Sequence, residues 1–175
     1  AVFIREDIFK EAGLEYPTTW RELIDRAAQL TDPASSKYGF SFRGVNGCYE
    51  NANLMIYAAV GYDKLADDNA GYFIDDNGTT IFTLPETRQA LLDFKELFQK
   101  ASPADSIAWG FSEQVQGFIS GTAAILLQDS DAVPTMTSDL SDDQWDVIPL
   151  PTGDAGSVCL PNGYGGWGLT TLSEH

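Results

Sequence analysis

Glu50, Asp129 and Asp131 each stand beside an apolar run. A pair of carboxylates held at a fixed separation is the machinery of glycoside hydrolysis, one acting as acid and the other as nucleophile. The chain has 26 acidic residues, so a chance pair on one surface is expected, and binding uses the same groups without any reaction. Other chemistries are poorly supplied. The only histidine is His175, which removes the usual general base of Ser-His or Cys-His catalysis and any His-containing metal site. Cys48 and Cys159 permit one disulfide, but their separation matches no metal or redox spacing, and two small thiols is the simpler reading. Asp75 and Asp76 precede Asn77-Gly78 without the spaced acids and closing Glu of a calcium loop.

The elements that must position these residues are well supplied with core. Of 175 residues, 43% are hydrophobic and 12% aromatic, ample for a packed domain. A formal net charge of −16 repels phosphate backbones and anionic headgroups, which excludes nucleic acid as a natural partner. No apolar run approaches the roughly 18 residues a membrane span requires.

Strands and helices alternate along the chain, which predicts an α/β fold. Residues 2–4 form a short apolar strand, and residues 6–12 a helix closed by Gly13. Thr19 and Glu22 have capping-box spacing, so a helix follows to Leu30 that buries Trp20, Leu23, Ala27 and Leu30. Residues 38–42 alternate as a strand, residues 43–53 read as a Gly- and Asn-rich loop, and a helix covers residues 54–60 up to Gly61. Asn77-Gly78 predicts a hairpin with a type I′ turn. Thr83 and Glu86 repeat the capping-box spacing before a helix to Lys100 whose apolar face holds Ala90, Leu91, Phe94, Leu97 and Phe98. A helix over residues 112–120 follows, then a strand over 123–128 apolar enough to be buried on both faces. Asp129 and Asp131 sit where they would cap a short helix to about Thr137, and residues 145–150 form a last strand before the Gly-rich end.

The segments FKEAGLEYPTTWREL (9–23), YGFSFRG (38–44), WGFSEQ (109–114), FISGTAAILLQ (118–128), VIPLP (147–151) and GGWGL (165–169) occur in that order. Together they resemble the extracellular solute-binding proteins of bacterial sugar-uptake ABC transporters, the maltose-binding-protein-like group. The resemblance implies the periplasmic-binding-protein-like type II fold, two α/β lobes joined by a hinge with a cleft that closes on ligand. On that frame residues 1–4 and 147–150 are hinge crossings and residues 5–146 an incomplete second lobe. Residues 151–175 then return toward a first lobe that is mostly absent, which makes the chain an interior fragment.

A carbohydrate presents hydroxyl rims and apolar C–H faces, so proteins meet it with carboxylates, amides and Arg for the rims and with flat aromatic rings for the faces. The resemblance places Arg43, Tyr49, Glu50 and Asn51 in the loop after the 38–42 strand, Trp109 and Phe111 before the next helix, and Asp129 with Asp131 beyond the apolar strand. Gly165, Gly166 and Trp167 would face them from the other lobe. It implies a sugar or oligosaccharide ligand, no cofactor, no catalysis, and delivery to the permease subunits of an ABC importer. It also implies an extracytoplasmic location, free in a periplasm or lipid-anchored at the outer face of the membrane. Structural roles compete at each position: helix capping for Asp129 and Asp131, core packing for Trp109, a surface ion pair for Arg43. A strand over residues 165–171 that has lost its sheet is expected to pair with a second copy of the fragment or to fold back on residues 2–4.

Overall fold

A computed structural model of the chain describes residues 1–65 and 73–156. The Gly-rich end, with Cys159, Gly165, Gly166, Trp167 and the strand expected over residues 165–171, lies outside the described residues. Among the described residues, four strands make one mixed sheet in the order β2-β3-β1-β4. They are β1 (Val2–Ile4), β2 (Tyr38–Ser41), β3 (Ala123–Leu127) and β4 (Asp146–Ile148). β2 and β3 run parallel, and β1 lies antiparallel to both β3 and β4. The alternation of strand side chains divides the interior in two. Val2, Ile4, Phe40, Ile125 and Leu127 face one core, whereas Phe3 and Leu126 face the other.

The first core is roofed by α2 (Trp20–Gln29), α3 (Cys48–Val60) and α4 (Pro85–Ala101), with α1 (Glu6–Ala12) adding Phe9. Phe42 anchors α4 by placing its ring 4.9 Å from both Phe94 and Phe98. The opposite face is covered by α5 (Phe111–Ile119) and α6 (Val133–Asp139), whose Val115, Phe118 and Met136 meet Phe3 and Leu126. Each fully buried side chain of this size stabilises the fold by about 1.5–3 kcal/mol relative to exposure.

Local signals account for most helix ends. The Thr19 hydroxyl accepts from Glu22 N–H at 3.1 Å while the Glu22 carboxylate accepts from Thr19 N–H at 3.2 Å, the expected capping box. Gly13 closes α1 in the left-handed region at φ 64°. At Thr83 the expected box is absent. Its hydroxyl donates to the Thr80 carbonyl, Leu84 occupies the cap position, and Pro85 opens α4 with a ring that needs no donor there. Leu91 is exposed rather than part of the apolar face, and Leu30 is only half-buried. The turn at Asn77-Gly78 also differs from expectation. Only Gly78 has a positive φ, and the Asp75 carboxylate accepts from Asn77 N–H and Thr79 N–H, which stabilises a type I turn followed by a left-handed glycine.

Candidate functional site

The strand directions gather one end of the sheet. In the register, Leu127 of β3 and Ile148 of β4 both stand opposite Val2, and Ser41 of β2 is beside Leu126. The C-terminal ends of β2, β3 and β4 and the start of β1 therefore share one edge. Ligands of open α/β folds bind where chains leave the carboxyl ends of their strands, because loops there can diverge and leave a crevice.

The segment after β2 is a loop only as far as Gly47. With φ 99°, Gly47 takes the cap position of α3, so the helix starts at Cys48 rather than beyond residue 53. This corrects the expected loop over 43–53 and puts Tyr49, Glu50 and Asn51 on the first turn of a helix. Tyr49 is 63% exposed, Glu50 is exposed, and Asn51 is buried with its Nδ2 3.5 Å from the Leu127 carbonyl. Cys48 beside them is half-buried.

Arg43 and Phe111 come together. The guanidinium lies 5.9 Å from the Phe111 ring centroid, and its Nη1 is 3.8 Å from Glu50 Oε2, a loose ion pair in which the Arg43 side chain is 14% exposed. Arg43 Nε is buried with no hydrogen-bond partner among the described residues. A Cβ on Gly47 would come within 2.8 Å of the guanidinium, the mobile end of a long side chain, so the positive φ is the stronger reason for glycine here.

The Arg43 and Trp109 segments are tied through backbone. The Trp109 carbonyl accepts from Gly44 N–H and Val45 N–H at 3.1 Å each, and Gly44 lies so close to the Ile107 backbone that a Cβ would meet it at 2.0 Å. Trp109 is half-buried, and its ring rests on Gly117 of α5, where a Cβ would come within 2.6 Å of Cζ3. Packing against its own helix therefore accounts for part of this residue.

Asp129 and Asp131 are exposed on the turn after β3. Asp129 occupies the cap position of a short 3-10 helix, Ser130–Ala132, but its side chain makes no cap hydrogen bond. The capping role open to it from the sequence is thus unused.

Two residues that sequence reasoning passed over lie under the site. Gln114 is fully buried on α5 and Gln128 is buried just beyond β3. Gln114 falls three residues after Phe111 and four before Phe118, so helical spacing puts it on the buried face, and that was the available signal.

Comparison with known proteins gives one family. Residues 1–174 match the model of the bacterial extracellular solute-binding proteins. The chain is 30% identical over 125 residues to the mannitol-binding protein of Pseudomonas aeruginosa, which covers 70% of this chain and 27% of that protein. It is 25% identical over 135 residues to the putative ABC transporter periplasmic-binding protein YcjN of Escherichia coli, covering 77% of this chain and 29% of that one. Among solved structures, a solute-binding protein from Agrobacterium radiobacter K84 in complex with ribitol superposes with TM-score 0.75 at 25% identity, over 90% of this chain and 38% of that one. Maltose-bound MalE3 of T. maritima superposes with TM-score 0.73 at 22% identity, over 90% of this chain and 39% of that one, a likeness of fold. The chain thus spans under a third of the length of these curated relatives.

Proposed function

We propose a function for this chain, which belongs to the bacterial extracellular solute-binding protein family and has the type II periplasmic-binding-protein fold. It forms one wall of a ligand cleft within a longer, two-lobed, extracytoplasmic receptor that binds a neutral sugar or sugar alcohol and delivers it to the permease subunits of an ABC importer. The observation that carries this reading is the shared edge. Arg43, Glu50, Asp129 and Asp131 follow β2 and β3 at the end where β2, β3 and β4 finish and β1 starts, and the Trp109 carbonyl and Phe111 ring are held beside the Arg43 segment.

The adjacent antiparallel pairing of β1 with β4 supports residues 1–4 and 147–150 as neighbouring hinge crossings, with 5–146 as the lobe between them. Two strands side by side at one edge bend together, which domain closure requires. Exposed Tyr49 offers an aromatic face, the Asp129 and Asp131 carboxylates offer acceptors, and Arg43 offers donors. Gly165, Gly166 and Trp167 complete the surface from the far side in this reading. The relatives that carry mannitol, ribitol and maltose in their names extend the choice of ligand from ring sugars to open-chain polyols.

Titration calorimetry of the whole protein with D-mannitol, ribitol and maltose tests the proposal. Saturable binding of one of them without turnover is the expected result. Hydrolysis of an oligosaccharide by the purified protein would overturn it in favour of paired-carboxylate catalysis.

A further inference from the structure

Gln114 and Gln128 form a relay whose direction is fixed by its surroundings. The Gln114 carboxamide nitrogen donates to the Ser41 carbonyl at 2.7 Å and to the Leu127 carbonyl at 3.3 Å. Two carbonyls can be met only by the NH2 of an amide, so the Gln114 oxygen is turned the other way. It accepts from Gln128 Nε2 at 2.8 Å, which in turn directs the Gln128 oxygen to the backbone N–H of Asp129 at 2.9 Å. Ser41 Oγ closes the assembly by donating to the Gln114 backbone carbonyl at 2.6 Å. Asn51 Nδ2 approaches the same Leu127 carbonyl at 3.5 Å.

The ends of β2 and β3, the first turn of α3 and the first turn of α5 are thereby joined at one buried point, and Asp129 leaves from it. Core filling alone does not call for this arrangement. Apolar side chains of similar volume, such as the neighbouring Val115 and Phe118, fill space without the desolvation cost of buried amides.

We propose that Gln114 and Gln128 are positioning residues. They hold the Asp129 to Asp131 turn in register with Arg43 and Glu50, so that loops from separate strands present one rigid ligand surface. The proposal rests on the reading above that this edge faces the ligand.

The test uses the whole protein with Gln128→Leu, which cuts only the last link, and Gln114→Met, which removes the hub. Amide hydrogen exchange at Asp129 reports the relay without any ligand. Exchange at least about tenfold faster in Gln128→Leu is expected, and an unchanged rate would overturn the relay. Affinity for D-mannitol, ribitol and maltose reports the purpose. Gln128→Leu should weaken binding about tenfold, and in an Asp129→Ala background it should add little, because both changes act through the same turn. Fully additive losses would mean the relay serves stability alone and would overturn positioning. Unchanged binding by Asp129→Ala would instead refute the ligand-facing edge, and the exchange result would still judge the relay by itself. Should Gln114→Met fail to fold, Gln128→Leu at the sheet end carries both readouts.

Discussion

Two arginines, Arg5 buried and Arg43 half-buried, stand at opposite ends of the sheet, and their surroundings differ. Arg5 follows β1 at the end away from the site, and all its donor nitrogens are occupied. Nε and Nη2 grip the Asp7 carboxylate at 2.9 and 2.6 Å, while Nη1 caps α5 by donating to the Phe118 and Ile119 carbonyls at 3.1 and 3.2 Å. Arg43, at the site end, has a buried Nε without a partner among the described residues, an ion pair stretched to 3.8 Å, and an aromatic ring beneath it. One guanidinium is saturated by the fold, and the other has a buried Nε without a partner among the described residues. Native structures satisfy nearly all buried polar groups, so Arg43 Nε calls for an explanation, as do Trp20 Nε1, Arg26 Nε and Trp145 Nε1 among the described residues, and ligand binding is the explanation proposed above for Arg43.

The largest effect expected from this contrast is on stability. Arg5→Ala removes a cation that is 8% exposed in its side chain, takes a donor from the Phe118 carbonyl, which keeps Gly121 N–H, and from the Ile119 carbonyl, and strips Asp7 of its cationic partner. Urea unfolding should show a loss of about 3 kcal/mol. Arg43→Ala should cost no more than about 1 kcal/mol of stability, since a loose pair with half-exposed Glu50 contributes little. Its cost should appear in ligand affinity, about tenfold in the whole protein by calorimetry. The reverse pattern, with Arg43→Ala unfolding the protein and Arg5→Ala tolerated, would break the comparison.

Much of this was legible in the sequence where one signal governs one element. The Thr19 capping box, the Gly13 and Gly61 stops, and the apolar run of β3 each act within a few residues and appear as read. The start of α3 was hidden because Gly and Asn suggest a loop by composition, whereas Asn51 enters the helix to meet a carbonyl on a distant strand. Thr83 misled for the opposite reason. Its spacing to Glu86 fits a box, but the preceding turn takes its hydroxyl and Pro85 starts the helix unaided. At the site, the resemblance named the segments, but only the sheet register could bring Arg43, Phe111 and Asp129 to one edge. The glutamine relay spans residues 41 to 129, and no local pattern states such a pairing.

A smaller effect sharpens the role of Trp109 at the site end. In Gly117→Ala the new Cβ would meet Trp109 Cζ3 at 2.6 Å and Ser41 Oγ at 3.1 Å, so the ring must move. Overpacking costs about 1–3 kcal/mol, and replacing a helical glycine by alanine returns about 1 kcal/mol. A net loss of about 1 kcal/mol is expected in thermal melts. The protein has four Trp residues, so the shift of Trp109 emission toward longer wavelength should be assigned by its disappearance in Trp109→Phe. Wild-type stability and an unmoved emission would mean that the ring is not held by α5.

The smallest effect lies at the Arg5 end of the sheet and depends on pH. Burial pushes the Asp7 carboxyl up, but hydrogen bonds and charge from Arg5, with smaller help from Ile8 N–H and Gln144, outweigh it and hold the group below the ordinary carboxylate range. A group whose pKa is lower folded than unfolded adds stability that is complete above the unfolded pKa and is lost as pH falls through the folded one. Asp7→Asn should therefore be less stable than wild type at neutral pH, by about 1 kcal/mol, because the Asp7 side chain is 35% exposed and solvent screens part of the pair. The difference should shrink as the solution is acidified below the ordinary Asp range and vanish once wild-type Asp7 is itself protonated. Combining Asp7→Asn with Arg5→Ala should abolish the pH-dependent part of the difference, since the cation that depresses the pKa is gone. Denaturant melts of the four proteins between neutral and acid pH would decide it. A gap that stays constant on acidification would mean that Asp7 contributes by shape at the start of α1, and that the Arg5 end of the sheet is not held by charge.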